Sequence, residues 1–190
     1  MTRAIGVRAR VDRAAVKLFA AKGVDGVSIA DIAATAGVSQ GALYRHYRSK
    51  DELASQLFST AYLRTGAELD AIRTARIGFP AKVIAMVEHF CAIYDQDAAL
   101  FRFMLIAQHD LLPQLASGER APVAVIEDAV AEAIERGEID PINVAAGAAV
   151  IMGVVLQTSI FHLYGRICGP LLPYAPSLAR AAIAAVRGLA

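Results

Sequence analysis

Two short helical patterns separated by a tight turn, in the stretch SIADIAATAGVSQGALYRHYRSK from Ser28 to Lys50, constrain this chain more than any other feature. Ser28 precedes an apolar-periodic run (Ile29, Ile32, Ala33, Ala36), and Asp31 stands three residues on, the pattern of an N-cap with a capping-box partner. Gly37 supplies the residue most tolerant of positive φ where the first helix must stop and turn. Ser39 then caps a second helix, expected from Gln40 to about Tyr47. Two helices joined this way form a helix–turn–helix, and its second helix has the dimensions of the DNA major groove.

The charge distribution agrees with a polyanionic partner. Residues 1–50 hold nine Lys/Arg (Arg3, Arg8, Arg10, Arg13, Lys17, Lys22, Arg45, Arg48, Lys50) against Asp12, Asp25 and Asp31, a net of +6. The whole chain carries 19 basic and 18 acidic residues, so residues 51–190 hold 10 and 15, a net of −5. A basic head on an acidic body is the asymmetry expected of nucleic-acid or anionic-membrane binding.

The segment GVSIADIAATAGVSQGALYRHYRSKDELASQLF resembles the N-terminal domain of the TetR family of transcriptional regulators. The matching elements are the IAATAGVS turn, the GALYRHYRSK recognition segment and the Lys50-Asp51-Glu52-Leu53 start of the next helix. Tyr47 stands where the family more often has Phe, and Ala42 where a hydroxyl residue is frequent. The resemblance covers about residues 5–58. It implies an all-α chain with a helix–turn–helix head at 1–48 and a helical effector-binding and dimerisation body at 49–190.

Periodicity along the rest of the chain also reads as helical, with no alternating strand pattern. Helix 1 is expected from Ile5 to Ala21, with Val11, Ala14 or Ala15, Leu18 and Phe19 inward. Ser49 and Glu52 form a second capping-box pattern that opens the fourth helix, weakened later by Gly66 and broken at Gly78-Phe79-Pro80. Further helices are expected at 80–94, 97–109 and 122–136. Pro141 in a first turn opens a long apolar helix, and Ser177 caps a last one ending near Arg187.

Within the recognition segment, Leu43 and Tyr47 share a face assigned to the core, which leaves Gln40, Gly41, Ala42, Arg45 and His46 for the groove. Gln40 can pair with adenine and Ala42 can touch a thymine methyl. Tyr44 and Lys50 match family positions that contact phosphates, and the helix starts at Ser28 and Ser39 offer free N–H groups to the same anions. A palindromic double-stranded operator read by a homodimer is the expected arrangement. Ala145, Ala149, Gly153 and Gln157 recur every four residues on the long helix, and Leu178, Ala182, Ala185 and Leu189 follow on the last. The resemblance implies that these faces form the dimer interface; packing within one chain would use the same small residues.

The body is further implied to bind a small-molecule effector. Tyr62, Met86, His89, Phe90, Tyr94, Phe101, Arg102, Met104, Gln108 and His162 supply the apolar surface and scattered polar groups of a lipophilic-ligand site, although Phe and Met at such spacing also simply fill cores. A repressor released by ligand, an activator and a non-sensing DNA binder of the same fold remain open. No catalytic residues, metal ligands or cofactor are expected: His89 and Cys91 point apart on a helix, and no G-x-S-x-G, H-E-x-x-H or P-loop pattern occurs. Two unpaired Cys and the polar start suit the cytoplasm. From Pro141 to Gly165 no Lys, Arg, Asp or Glu occurs, which keeps a membrane-associated helical protein as a competing reading. Asn143, Gln157, Thr158, Ser159 and His162 interrupt that stretch and argue for a buried helix without a membrane.

Overall fold

The computed structural model describes residues 6–115 and 120–189. Among these residues there is no strand. The helices are α1 (Val7–Lys22), α2 (Ile29–Ala36), α3 (Gln40–Tyr44), α4 (Lys50–Ala75), α5 (Phe79–Gln96), α6 (Ala98–Leu111), α7 (Pro122–Glu135), α8 (Val144–Leu163) and α9 (Ala175–Arg187). Short 3-10 turns follow α6 at Leu112–Gln114 and precede α9 at Leu172–Tyr174. The expected start of helix 1 at Ile5, and Arg3, lie outside the described residues.

The chain divides into two compact units, Met1–Tyr62 with Ala98–Glu119, and Leu63–Asp97 with Arg120–Ala190. In the first, α1 packs on α2, α3 and α6. Val11, Ala15 and Phe19 repeat every four residues on α1 and are fully buried with Ile32, Leu43, Leu53, Phe58 and Phe103. Phe19 and Phe103 meet with ring centroids 5.5 Å apart, which seats α6 against the head.

The second unit is built from α5, α7, α8 and α9, with α5 packed on α9 and α8 packed on α7 and α9. Its core carries Phe79, Val83, Met86 and Val87 from α5, Ile126 and Val130 from α7, Ile151 from α8, and Ala179 and Val186 from α9. A charged cluster lies beside it. Lys82, only 4% exposed, donates to Glu132, which also accepts from Arg73; Arg73 and Arg120 both reach Asp70. Burial pushes the Glu132 carboxyl up, but the Lys82 hydrogen bond and the charges of Arg73 and Lys82 outweigh it and hold the net value below the ordinary one.

Several helix ends differ from the sequence expectation. The recognition helix stops at Tyr44, and the chain tightens through an i→i−3 bond from His46 N to Leu43 O. Gly66 does not weaken α4, which runs unbroken to Ala75. A Cβ at Gly66 would overlap the carbonyl oxygen of Arg120, so this glycine is the place where another stretch of backbone lies against the helix. Pro141 lies outside α8: Asn143 caps that helix instead, its Oδ1 accepting from Ala146 N at 2.9 Å. Ser177 lies inside the first turn of α9, because Pro176, with its φ already set for a helix, starts the helix at Ala175.

Candidate nucleic-acid interface

The first unit builds its surface from three capped helix starts. At α2 the Ser28 hydroxyl oxygen accepts from Asp31 N at 3.1 Å, while the Asp31 carboxylate accepts from Ser28 N at 2.9 Å and from the Ser28 hydroxyl at 2.6 Å. These bonds from Ser28 hold the Asp31 carboxyl below its usual range. At α3 the Ser39 hydroxyl accepts from Ala42 N at 3.1 Å. At α4 the Ser49 hydroxyl accepts from Glu52 N at 3.0 Å, and the Glu52 carboxylate closes on Arg48 N rather than on Ser49 N. Ser28 and Ser39 therefore already spend their hydroxyl acceptors on their own helices.

Gly37 ends α2 in the left-handed region, φ 64° and ψ 42°, and its N–H bonds back to Ala33 and Ala34 carbonyls. The turn sets α3 so that Leu43 is fully buried and Tyr47 is 2% exposed. With those two anchors inward, Ser39, Gln40, Gly41, Tyr44, Arg45 and His46 are exposed and Ala42 is half-buried. Tyr44 is 52% exposed, so much of this aromatic side chain faces solvent. Lys50, the first residue of α4, is half-buried. Arg45 and His46 lie just past the last residue of α3, in the turn.

One group escaped the sequence reading. The Tyr47 hydroxyl donates to Asp12 Oδ1 at 2.5 Å and accepts from Arg8 Nε at 3.2 Å, and the Arg8 guanidinium also lies over the Tyr47 ring, 5.6 Å from its centroid. Arg8 continues to Gln56 Oε1, and Gln56 donates to Glu52 Oε1 at 3.2 Å. The end of the recognition segment is thus tied to α1 and to the first turns of α4. Burial foremost, then the bond to Asp12, pushes the Tyr47 hydroxyl up to about 12. The one available signal was a Tyr at a position where an apolar ring suffices.

Comparison with known proteins bears on the N-terminal domain most directly. The model of bacterial regulatory proteins of the TetR family matches residues 2–57. The HTH-type transcriptional regulator SrpR of Pseudomonas putida is 29% identical over 174 residues, covering 86% of this chain and 73% of SrpR. Residues 2–57 are thus similar to the N-terminal domain of the TetR family. The match to the regulator AcrR of Shigella flexneri, 35% identical over 71 residues, covers 37% of this chain and only 33% of AcrR. Two solved structures extend the likeness in fold over nearly the whole chain. The regulator FadR from Bacillus subtilis, in complex with stearoyl-CoA, has a TM-score of 0.74 at 18% identity, covering 92% of this chain and 96% of that one. The fatty acid degradation regulator FadR from Bacillus halodurans has a TM-score of 0.80 at 15% identity, covering 96% of each.

The effector residues expected from the sequence divide between the units. Tyr62, Phe101, Arg102, Met104 and Gln108 belong to the first, and Met86, His89, Phe90, Tyr94 and His162 to the second. Met86, Phe90, Tyr94 and Phe101 are buried, whereas Arg102 is exposed. Several polar ends have protein partners: His89 Nε2 lies 3.1 Å from a Glu68 oxygen, and Gln108 donates to the Leu105 carbonyl. Tyr94 Oη lies 2.8 Å from His162 Nδ1, whose Nε2 donates to the Gly169 carbonyl at 2.6 Å. Tyr62 stacks on Phe58, centroids 5.2 Å apart. Among the described residues no three His, Cys, Asp or Glu side chains are grouped as metal ligands.

On α8, Ala145, Ala149, Gly153 and Gln157 are all exposed, while Gly147, Ala148, Ile151, Val155 and Ser159 form the buried face. On α9, Ala185 is exposed and Leu178 is half-buried, but Ala182 is fully buried inside its own unit; Leu189, past the end of the helix, is exposed. Helix α8 is also long and apolar enough to cross a membrane, with only 28% of its most apolar window buried. An apolar helix so uncovered in one chain needs a further apolar surface against it.

Proposed function

We propose that this chain is a sequence-specific transcriptional regulator of the TetR family that binds a palindromic operator as a homodimer and is released from it by a small lipophilic ligand. The carrying observation lies at α3 and the turn after it: Leu43 and Tyr47 are buried, while Gln40, Gly41, Tyr44 and Arg45 are exposed. Residues 1–48 act as the DNA-binding head and 49–190 as the effector-binding and dimerisation body. Gln40, Ala42, Arg45 and His46 read base edges, with Gly41 permitting close approach; Tyr44, Lys50 and the starts at Ser28 and Ser39 meet phosphates. At Ser28 and Ser39 the contact falls to backbone N–H groups, since the hydroxyl acceptors serve as caps.

The second copy packs on the exposed small-residue stripe of α8 with Ala185 of α9 and Leu189 just past it. Polar Gln157, Thr158 and His162 along the second half of α8 favour that partner over lipid, and a cytoplasmic location follows. A membrane-embedded α8 is the competing reading, carried by its length and composition. Sedimentation as a detergent-independent dimer separates the two. The stearoyl-CoA bound by the Bacillus subtilis FadR supports a lipophilic effector. Ligand and DNA then weaken each other's binding by equal factors. No residue is assigned a catalytic or cofactor-binding part.

Fluorescence anisotropy on DNA flanking the gene, at two salt concentrations and against a scrambled duplex, tests the regulator reading. Salt-sensitive preference for the flanking DNA is expected. Gln40→Ala should cost on the order of 1–3 kcal/mol at particular base positions. Equal affinity of Gln40→Ala and wild type for every base substitution would refute the assignment of the groove face.

A further inference from the structure

The cations of this protein differ in whether the fold brings an acid to them. Arg8, Arg64, Arg73, Lys82 and Arg120 are each within ion-pair distance of a carboxylate. Arg10, Arg13 and Lys17 have no such partner among the described residues, yet they share one face of α1. Their spacing of three and four residues keeps them within about 60° of one another and spreads them over about 10 Å of helix. Together with Ala14 of the same helix and Thr35 and Ala36 of α2 they line an open cleft of about 390 Å3. No acid lines it. Asp12 is turned to the other side of α1, on Tyr47 and Arg8, and Asp31 is held by Ser28.

The position of the cleft matters as much as its charge. The Arg10 guanidinium reaches the carbonyl of Gly37 at 3.5 Å, two residues before the Ser39 cap of α3. The cleft therefore opens beside the turn that delivers the recognition helix, within the same unit. A compact anion site gathers its donors around one point, but these three cations are strung in a row on an open surface. A row suits successive charges of a nucleic-acid backbone.

We propose that the α1–α2 cleft is a second phosphate-binding surface, on which Arg10, Arg13 and Lys17 grip duplex DNA flanking the half-site read by α3. The inference rests on the DNA-binding reading above and adds to it a footprint longer than α3 alone requires. Affinity, not base preference, is what this row supplies, because backbone contacts carry no sequence information.

The test uses the full chain with Arg10→Gln, Arg13→Gln and Lys17→Gln combined, and a charge-preserving control, Arg10→Lys, Arg13→Lys and Lys17→Arg. Circular dichroism and thermal unfolding establish that both fold. Affinity is measured against salt on the operator extended by one helical turn at each end and on the same operator trimmed to its half-sites. On the extended duplex the neutral variant should show a log K against log salt slope shallower by about 2–3 per head, with unchanged base preference. The charge-preserving control should keep the wild-type slope, and trimming should abolish the difference between wild type and the neutral variant. An unchanged slope on the extended duplex overturns the inference and leaves the row to a partner other than DNA. A difference that survives trimming overturns the flanking placement, and a control that behaves like the neutral variant overturns charge as the cause. Wild type showing no operator preference would instead refute the regulator reading itself.

Discussion

Replacing Tyr47 by Phe removes a single oxygen atom from the heart of the DNA-binding unit and leaves the buried ring in place. That oxygen donates to Asp12 at 2.5 Å and accepts from Arg8 at 3.2 Å, so two charged groups lose a partner at once. A hydrogen bond to a charged group is worth about 1.5–3 kcal/mol when its site is dry. The Asp12 and Arg8 side chains are 31% and 64% exposed, so water takes up part of the vacated bonding. A loss of about 1–2 kcal/mol is therefore expected, or about 2–8 °C in Tm for a chain of this size. The pH dependence gives an independent check. The folded hydroxyl titrates at about 12, above the ordinary tyrosine value of 10, so its contribution is complete below pH 10 and disappears as pH rises through 12. Urea unfolding followed by circular dichroism, at equal protein concentration, should show a constant gap between wild type and Tyr47→Phe from neutral pH to about pH 9, narrowing above 10. A variant as stable as wild type at pH 7, or a gap that ignores high pH, would refute the role given to the hydroxyl.

Three further outcomes follow from particular contacts. Gly66→Ala should lose about 1–3 kcal/mol, although helix propensity alone favours Ala by about 1, because the added methyl would overlap the Arg120 carbonyl; a stabilised variant in thermal unfolding would contradict that contact. Glu132→Gln strips Lys82, only 4% exposed, of the charge that offsets its burial and should cost about 2–4 kcal/mol, which a denaturant midpoint shift at unchanged slope would report and a neutral result would exclude. Cys91 is fully buried, and burial together with the charges of Asp95 and Glu88 pushes its thiol up to about 11, whereas Cys168 is exposed. A thiol reagent at neutral pH should modify Cys168 quickly and Cys91 only on unfolding; two equally fast thiols would contradict the packing of α5.

The head was legible in the sequence because its signals are local. Ser28 with Asp31, Gly37, and Ser39 each act within four residues of themselves, so a capping box, a left-handed turn and a second cap could be read directly and are present in the structure. The inward assignment of Leu43 and Tyr47 needed only helical spacing. Signals that compete locally were misread. Pro141 and Asn143 both suit a helix start, and the side chain that accepts from Ala146 decided between them; at α9 the proline was favoured over Ser177. Gly66 reads as a weak point in isolation, because its reason for being glycine is backbone more than fifty residues away.

The sequence by itself determined that the chain is helical, that a helix–turn–helix occupies residues 28–50, and that a basic head precedes an acidic body, since helical period, caps and charge are properties of neighbouring residues. Only the tertiary structure decided that α6 packs with the head, that the Tyr47 hydroxyl joins α1 to the recognition segment, and that Ala182 faces inward while Ala145 to Gln157 face outward. It also separated cations that pair with carboxylates, such as Arg8 and Lys82, from Arg10, Arg13 and Lys17, which do not. These depend on which distant surfaces meet. Small residues at helical spacing serve a core and an interface equally well, and an arginine looks the same in sequence whether or not the fold brings an acid to it.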